Sequence, residues 1–365
     1  MKRSHSFLLA VTLVLAMLCG KTQELKAQFV FHDVASLPLF GKASEEGGPR
    51  FRRLPPRLEG VVRDAVWGLG CNSAGLYLRF RSDAPAIAAR WTNTGNHMPH
   101  MTDVGTGGLD LYVRTDNEWR FVGSGFNWGP LSSEHERTLV DNMQPQMREY
   151  LLYLGLYDEI KTLELGVPEG YAVSAPVLDS PRADAPVVMY GTSILQGGCA
   201  SRPGMASTNI LGRWLDRTVV NLGFSGNALL DYEISELMSQ TRNPSVFVLD
   251  YVPNASAQQI AEKGERFFRI LRDRHPDVPV IFVEDPFFAH CIVDEAIAAE
   301  VREKNLAQKA LFQRLVDAGE KQLWYVSSEG LVQPEDFVDG IHFTDAGMLH
   351  YAQRLLPVLQ QALGL

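Results

Sequence analysis

The second half of the chain constrains the fold most, because short apolar runs alternate there with helical patterns. Each run is four to six residues long, the length of a strand buried on both faces. The runs lie at 187–190, 218–222, 246–251, 278–283 and 323–326. Helical patterns lie at 206–215, 229–238, 256–274, 295–318 and 344–363, the last with Thr344 as a helix N-cap. This alternation predicts an α/β domain with a parallel, doubly wound sheet.

Residues 28–180 carry a different pattern, in which apolar and polar residues alternate with a period of two. The alternating segments lie at 76–81, 109–114, 119–122, 150–154 and 162–167, with turn residues between them. Many short strands at regular spacing predict an all-β sandwich of the jelly-roll type, and we expect no helix in this half. A proline-rich linker at about 176–186 separates it from a second domain at 185–365.

The first 27 residues have the pattern of a signal peptide. A short basic start precedes an apolar stretch at 7–18, which is too short to span a bilayer. Cleavage is predicted after Ala27, and lipidation at Cys19 is the alternative, although a large leucine precedes that cysteine. We predict no membrane-spanning segment elsewhere. The protein is therefore expected to be exported, to a periplasm or to the cell exterior.

Charge and cysteine content narrow the range of partners. Removal of residues 1–27 takes away four basic residues and one acidic residue, so the net charge of −9 becomes −12. A chain this negative is a poor partner for nucleic acid or another anionic polymer. Three cysteines remain, Cys71, Cys199 and Cys291, so at most one internal disulfide can form. Buried free thiols are the simpler interpretation, and no Cys-x-x-Cys spacing indicates a metal site.

One serine follows the first apolar run of the second half. In Val187-Val-Met-Tyr-Gly-Thr-Ser193 the chain turns at Gly191 and presents the Ser193 hydroxyl at the carboxyl edge of the predicted sheet. Open α/β sheets bind ligands at that edge. Because Gly-x-Ser turns are common, Ser193 becomes a candidate nucleophile only if a base and oxyanion donors lie nearby.

His342 is the candidate base, because a neutral imidazole can take the proton of a serine hydroxyl. It lies in Asp339-Gly-Ile-His342, between the fifth apolar run and the last helix. In a parallel sheet, a loop at that place meets the same edge as Ser193. Asp339 can orient the imidazole and stabilise its protonated form. His290 is a weaker alternative, because no carboxylate stands three residues before it.

Two further loops at this edge offer hydrogen-bond donors for an oxyanion. Gly226 follows the second apolar run and can offer a backbone N–H. Asn254 follows the third run and can offer its side-chain amide. The backbone N–H of Ser193 is the third candidate donor. Nucleophile, base and donors are thus predicted to converge on one rim of the sheet.

These residues resemble the marker residues of the SGNH, or GDSL-type, hydrolase family. The four markers match, in chain order, Ser193, Gly226, Asn254 and His342. Asp339 matches the aspartate of the family's Asp-x-x-His block, whereas the first block is Gly-Thr-Ser instead of Gly-Asp-Ser. The resemblance implies a flavodoxin-like, three-layer α/β/α catalytic domain. It also implies a serine esterase that works through an acyl-enzyme and needs no cofactor.

The front half adds Gly108-Leu-Asp110-Leu-Tyr112, which is similar to the Gly-x-Asp-Leu-Tyr module of one bacterial branch of that family. That branch, and the related two-domain carbohydrate esterases with a jelly roll in front, imply removal of acetyl groups from a glycan. A lipase or thioesterase on the same fold is one alternative. A catalytically silent glycan-binding protein is another, and the complete set of marker residues argues against it.

Four more side chains are candidates for substrate binding. Arg202 follows the nucleophile turn, Glu284 ends the fourth apolar run, and His97 and His100 share a loop that can reach over the catalytic edge. A structural ion pair is the alternative for Arg202, and a turn or capping role is the alternative for Glu284. For the histidines the alternative is an ordinary surface loop.

The same loop imitates a set of metal ligands, because Asp103 follows the two histidines His97 and His100. Pro99 makes the stretch a loop, and no further histidine or cysteine stands nearby in sequence. We therefore expect no metal in the active site.

Overall fold

The computed structural model describes residues 28–126 and 131–365. The predicted signal peptide, with Cys19, lies outside these residues. Within the described ranges, no helix combines the length and apolar character needed to cross a bilayer.

The front part of the chain is a sandwich of two antiparallel sheets. Its strands are β1 (Phe29–Asp33), β2 (Leu39–Phe40), β3 (Tyr77–Ser82), β4 (Ile87–Thr92), β5 (Leu109–Thr115), β6 (Glu118–Gly125), β7 (Glu134–Val140), β8 (Arg148–Tyr153) and β9 (Thr162–Pro168). One sheet has the order β1-β9-β4-β7 and the other has the order β2-β3-β8-β5-β6. The predicted β sandwich is confirmed, although the front half is not free of helices.

The five-stranded sheet of the sandwich is buried on both faces. Its side chains alternate between the two faces along each strand. On β3, Leu78 and Phe80 point into the core between the two sheets. Tyr77 and Tyr153 lie on the other face, against the second half of the chain. There the Tyr77 hydroxyl lies 2.7 Å from Thr218 Oγ1. The sandwich therefore packs directly on the catalytic half.

The second half is a parallel sheet with helices on both faces. Its strands are β10 (Arg182–Gly191), β11 (Arg217–Gly223), β12 (Val246–Asp250), β13 (Val280–Val283) and β14 (Leu323–Val326). They are ordered β11-β10-β12-β13-β14 and all pair in parallel. This is the flavodoxin-like strand order. The predicted three-layer α/β/α architecture is confirmed.

The helices flank this sheet or lie in the front half. They are α1 (Asp64–Gly70), α2 (Asp103–Gly107), α3 (Ser193–Gln196), α4 (Ser207–Leu215), α5 (Tyr232–Ser239), α6 (Ala257–Arg274), α7 (Glu295–Asp317) and α8 (Asp345–Leu363), with short 3₁₀ turns at Pro56–Leu58, Pro203–Met205, Ala289–Ile292 and Pro334–Asp336. Alternate residues of β10 feed two cores, with Val187 and Met189 on one face and Val188 and Tyr190 on the other. Thr344 caps α8, as predicted, by accepting a hydrogen bond from the Gly347 N–H.

The expectation of no helix in the front half is wrong. Helix α1 carries two glycines in seven residues, which weakens its sequence signal. Before it, Arg53 is 1% exposed and donates hydrogen bonds to the Asn221 and Gly223 carbonyls. These carbonyls belong to β11, the edge strand of the parallel sheet. Arg53 thus holds the segment 41–75 against that edge. Its partners are far away along the chain, so local sequence does not predict this role.

Other differences concern the ends of elements. β10 begins at Arg182, five residues before the predicted apolar run, and its first residue already pairs with Arg217 of β11. The predicted boundary at 176–186 stays a prediction. Strands β1, β2, β4 and β7 lie outside the predicted alternating segments. The polar β7 forms an edge of its sheet, and β4 carries three consecutive buried residues from Ile87, so neither alternates clearly.

Candidate active site

β10 leads directly into the Ser193 turn. The strand ends at Gly191, Thr192 caps helix α3, and Ser193 is the first residue of that helix. A Cβ added at Gly191 would lie 2.7 Å from the Asp250 carbonyl oxygen, so the turn requires glycine there. The arrangement leaves Ser193 at the carboxyl edge of the sheet.

The imidazole of His342 connects Ser193 to Asp339. Its Nε2 lies 2.9 Å from Ser193 Oγ, and its Nδ1 lies 2.7 Å from Asp339 Oδ2. Asp339 Oδ1 also accepts hydrogen bonds from the backbone N–H of Ile341 at 3.0 Å and of His342 at 2.8 Å. Gly340, inside this loop, has a φ of 89°, which glycine adopts without strain. The three side chains have the geometry of a catalytic triad.

Hydrogen bonding keeps Asp339 ionised. Partial burial alone would raise the pKa of this carboxyl group, but the hydrogen bonds from His342 and Ile341 outweigh it and lower the pKa to about 2. A carboxylate that stays negative at neutral pH can orient the imidazole and stabilise its protonated form.

Three donors for an oxyanion border the same cleft, namely Ser193, Gly226 and Asn254. The Ser193 N–H is at the start of α3, where a helix leaves its first N–H groups without internal partners. Gly226 has a φ of 65° and no atom within 4 Å of where a Cβ would stand. Asn254 Oδ1 accepts a hydrogen bond from the Ala228 N–H at 3.2 Å, which leaves its NH₂ group as the donor toward the cleft.

The cleft has a volume of about 430 Å³. Part of its wall comes from α7 and from the loop after β13, with apolar side chains from Phe288, Ile297 and Val301 and the charged side chains of Glu300 and Lys304. Sequence reasoning missed this wall, because the apolar residues of α7 carry no mark that separates a cleft wall from a core. His290, considered as a weaker base, also borders the cleft.

The two histidines of the loop 97–100 lie in different environments. The ring centre of His100 lies 5.4 Å from that of His342, so this loop does reach the catalytic edge. His97 instead forms an exposed pair with Asp103, its Nδ1 lying 2.9 Å from Asp103 Oδ1. Neither His97 nor His100 is among the residues that border the cleft. Of these two histidines, His100 therefore lies next to the candidate base His342, and His97 does not.

Arg202 is not among the residues that border the cleft, and its partners favour the alternative of a structural ion pair over substrate binding. Its guanidinium donates to Asp110 Oδ2 at 2.8 Å and to the Tyr112 hydroxyl at 2.7 Å. Asp110 is fully buried and also accepts a hydrogen bond from the Gly204 N–H at 2.8 Å. The aspartate and tyrosine of the Gly-x-Asp-Leu-Tyr motif thus hold the chain that follows the nucleophile. The alternative of a structural ion pair fits this geometry.

The hydrogen-bond partners of Glu284 likewise favour the alternative given for it, a role in a turn. Its carboxylate accepts hydrogen bonds from the Tyr325 hydroxyl at 2.7 Å and from the backbone and side chain of Ser328 at 2.7 and 2.8 Å. These contacts fix the turn after β14. Glu284 is 8% exposed and does not border the cleft.

Two carboxyl groups of the catalytic half, Asp250 and Asp285, are buried. Burial raises the pKa of Asp250 to about 8, although a hydrogen bond from the Tyr351 hydroxyl at 2.6 Å opposes the shift. Burial also raises the pKa of Asp285 to about 7, against the attraction of Lys304, whose Nζ lies 3.1 Å away. Lys304 Nζ donates to the Pro253 carbonyl at 3.2 Å as well, next to Asn254.

Cys71, Cys199 and Cys291 are free thiols. Burial, with the nearby Asp339 carboxylate, raises the pKa of Cys199 to about 12. A reactive cysteine needs a lowered pKa, so Cys199 is not a competing nucleophile beside Ser193.

Comparison with known proteins identifies the family of this chain. The model of the GDSL-like lipase/acylhydrolase family matches residues 184–360, and that of the N-terminal GxDLY module of SGNH hydrolase-type esterases matches residues 29–173. A GDSL-like lipase structure from Bacteroides ovatus is 33% identical, with a TM-score of 0.87 over 92% of this chain and 98% of that one. This chain belongs to the GDSL-like lipase/acylhydrolase family. Among curated protein sequences, none gives a significant match.

Other members of this fold are more distant in sequence. The salicylyl-acyltransferase SsfX3 from a tetracycline biosynthetic pathway is 16% identical, with a TM-score of 0.75 over 92% of this chain and 98% of that one. A family two carbohydrate esterase from Clostridium thermocellum, in complex with cellohexaose, is 12% identical, with a TM-score of 0.59 over 80% and 93%. At these identities the likeness concerns the fold alone.

Proposed function

We propose that the protein is a serine carboxyl-ester hydrolase that forms an acyl-enzyme on Ser193. The observation that carries this proposal is the unbroken chain of hydrogen bonds from Asp339 through His342 to Ser193 at the edge of an open cleft. Membership in the GDSL-like family supports the same chemistry.

In this mechanism Ser193 Oγ attacks the ester carbonyl carbon while His342 Nε2 takes the hydroxyl proton. The protonated imidazole, stabilised by Asp339, then gives that proton to the leaving alcohol. A water molecule attacks the acyl-enzyme, and His342 takes a proton from it. Collapse of the second intermediate returns the proton to Ser193 Oγ and releases the carboxylic acid.

The negative charge of each tetrahedral intermediate is held by the N–H groups of Ser193 and Gly226 and the side-chain amide of Asn254. These donors are fixed before the reaction by α3, the turn at 226 and the hydrogen bond from Ala228 to Asn254. Donors that need no reorganisation stabilise the transition state more than the ground state.

The substrate we propose is an acetylated carbohydrate outside the cytoplasm. Three observations support it: the fold shared with a family two carbohydrate esterase, the signal-peptide pattern of residues 1–27, and the net negative charge. The negative charge disfavours an anionic polymer as substrate and leaves a neutral acetylated glycan as the better match.

One observation favours a second candidate, hydrolysis of esters with longer or aromatic acyl groups. The cleft of about 430 Å³ is larger than an acetyl group requires, and Phe288, Ile297 and Val301 give it an apolar wall. The similarity in fold to a salicylyl-acyltransferase points in the same direction.

The test is acetate release from a panel of acetylated polysaccharides, run beside a series of p-nitrophenyl esters from acetate to decanoate. The proposal predicts acetate release that Ser193→Ala abolishes, and a rate that falls as the acyl chain lengthens. Rates that rise toward long chains would replace the acetyl proposal with the second candidate. Activity that survives in Ser193→Ala would contradict the proposed nucleophile.

A further inference from the structure

Side chains from both halves of the chain meet beside His342. His100 comes from the loop before α2, and Cys199 comes from the turn after α3. The Cys199 thiol donates to the His100 carbonyl at 3.3 Å, which ties the two loops together. One ligand atom from each of four side chains lies within 4.8 Å of the other three: His100, Cys199, Asp339 and His342.

Two imidazoles, a thiol and a carboxylate form a donor set that suits a borderline-soft divalent cation such as Zn²⁺. In a tetrahedral zinc site the ligand atoms lie about 3.3–3.8 Å apart, as follows from zinc bonds of about 2.0–2.3 Å. A cluster already within 4.8 Å needs its side chains to close by about 1 Å. Hard cations such as Mg²⁺ prefer oxygen ligands and do not match this set.

The cluster is reachable from solvent and is built on a constrained backbone. The side chains of Asp339 and His342 are 35% and 18% exposed, whereas Cys199 is 7% exposed. Cys199 has a φ of 67°, a conformation that residues other than glycine, asparagine and aspartate seldom adopt. Glycine or asparagine would fit that backbone with less strain, yet a thiol stands there and faces the base.

We propose that His100, Cys199, Asp339 and His342 bind a zinc-like divalent cation, and that binding reversibly stops ester hydrolysis. The inhibition rests on the proposed function, in which His342 is the base. A cation bound to His342 Nε2 prevents that atom from taking the Ser193 proton. A cation bound to His342 Nδ1 replaces the hydrogen bond between His342 and Asp339. The thiol of Cys199 loses its proton to solvent when the cation binds.

The first experiment measures binding without catalysis. The purified Ser193→Ala protein is titrated with Co²⁺, whose bond to a thiolate gives a near-ultraviolet charge-transfer absorption. We expect this absorption at one equivalent of Co²⁺, its loss on adding Zn²⁺, and its absence when Cys199→Ala or Cys199→Ser is combined with Ser193→Ala. A protein that gives no such absorption, or one that keeps it without Cys199, would overturn the site whether or not the enzyme assignment is right.

The second experiment measures inhibition of p-nitrophenyl acetate hydrolysis by Zn²⁺, each variant being compared with its own rate without metal. We expect inhibition that EDTA reverses and that Mg²⁺ does not cause. The half-inhibiting zinc concentration should rise at least tenfold in Cys199→Ala and in His100→Gln. It should stay at the wild-type value in the matched controls Cys291→Ala and His97→Gln. Equal zinc sensitivity in wild type and Cys199→Ala would refute a four-ligand site.

Discussion

Asp110 of the β sandwich and Arg202 of the catalytic half form an ion pair of 2.8 Å, and the carboxylate is completely buried. Asp110 also accepts hydrogen bonds from Ser124 at 2.6 Å and Gly204 at 2.8 Å. Three donors converge on one carboxylate, so the two halves of the chain are joined nine residues after the nucleophile. This contact gives the Gly-x-Asp-Leu-Tyr motif a structural role.

Asp110→Asn should therefore destabilise the protein. An amide turns an N–H toward one of the existing donors and leaves Arg202 without its counter-charge, which we expect to cost about 3 kcal/mol of unfolding free energy. Urea unfolding followed by circular dichroism measures this. The matched control is Asp103→Asn, whose exposed pair with His97 should contribute less than about 0.5 kcal/mol. Equal effects in both variants would contradict the role of Asp110.

Asn254→Ala removes one oxyanion donor and should lower kcat by about 10²–10³-fold, with little change in KM. The reason is that the amide contacts the charge that develops only in the transition state. Steady-state hydrolysis of p-nitrophenyl acetate measures both constants. If KM rose while kcat stayed constant, Asn254 would be a substrate-binding residue instead.

The acid side of the pH profile should contain one protonation. The fold lowers the pKa of Asp339 to about 2, below its ordinary value of 3.8, so this carboxylate is present above about pH 4 and is lost only as the pH falls through about 2. Asp339 therefore takes up no proton between pH 4 and neutrality, and log kcat/KM should fall there with a slope no steeper than one per pH unit. A slope of two in that range would mean that Asp339 protonates as well.

Asp250 should make the protein less stable as the pH rises. Its pKa is raised to about 8, so the folded carboxyl group keeps its proton between about pH 4 and 8 while the unfolded one releases it. The unfolding free energy therefore declines across that window. Asp250→Asn cannot ionise, and its decline between pH 5.5 and 8.5 should be smaller than that of wild type by about 3 kcal/mol. Identical pH dependences would show that Asp250 is ionised in the folded protein.

The sequence predicted the second half of the fold well, because its strands are buried on both faces and appear as unbroken apolar runs. The run at 323–326 coincides with β14. The Ser193 turn and the Asp339–His342 loop were also predictable, since each follows a strand at a known edge of a parallel sheet. The structure brings their side chains within hydrogen-bond distance.

Features that depend on partners far along the chain were not predictable. Arg202 and Glu284 do follow strands of the parallel sheet, but Asp110 and Tyr325 bind them away from the cleft. The contact of Arg53 with β11 joins residues about 170 positions apart, so no local sequence pattern predicts it. The approach of His100 to His342 belongs to the same class, because a loop of the β half must fold over the other half.

The most direct test of the account is the rate of p-nitrophenyl acetate hydrolysis by Ser193→Ala. The account predicts a fall in kcat/KM of at least about 10³-fold, because the residual rate comes from binding and the oxyanion donors alone. The urea midpoint should stay close to that of wild type, since the change removes one hydroxyl group. A correctly folded Ser193→Ala protein that hydrolyses the ester within tenfold of the wild-type rate would contradict the assignment of Ser193 as the nucleophile.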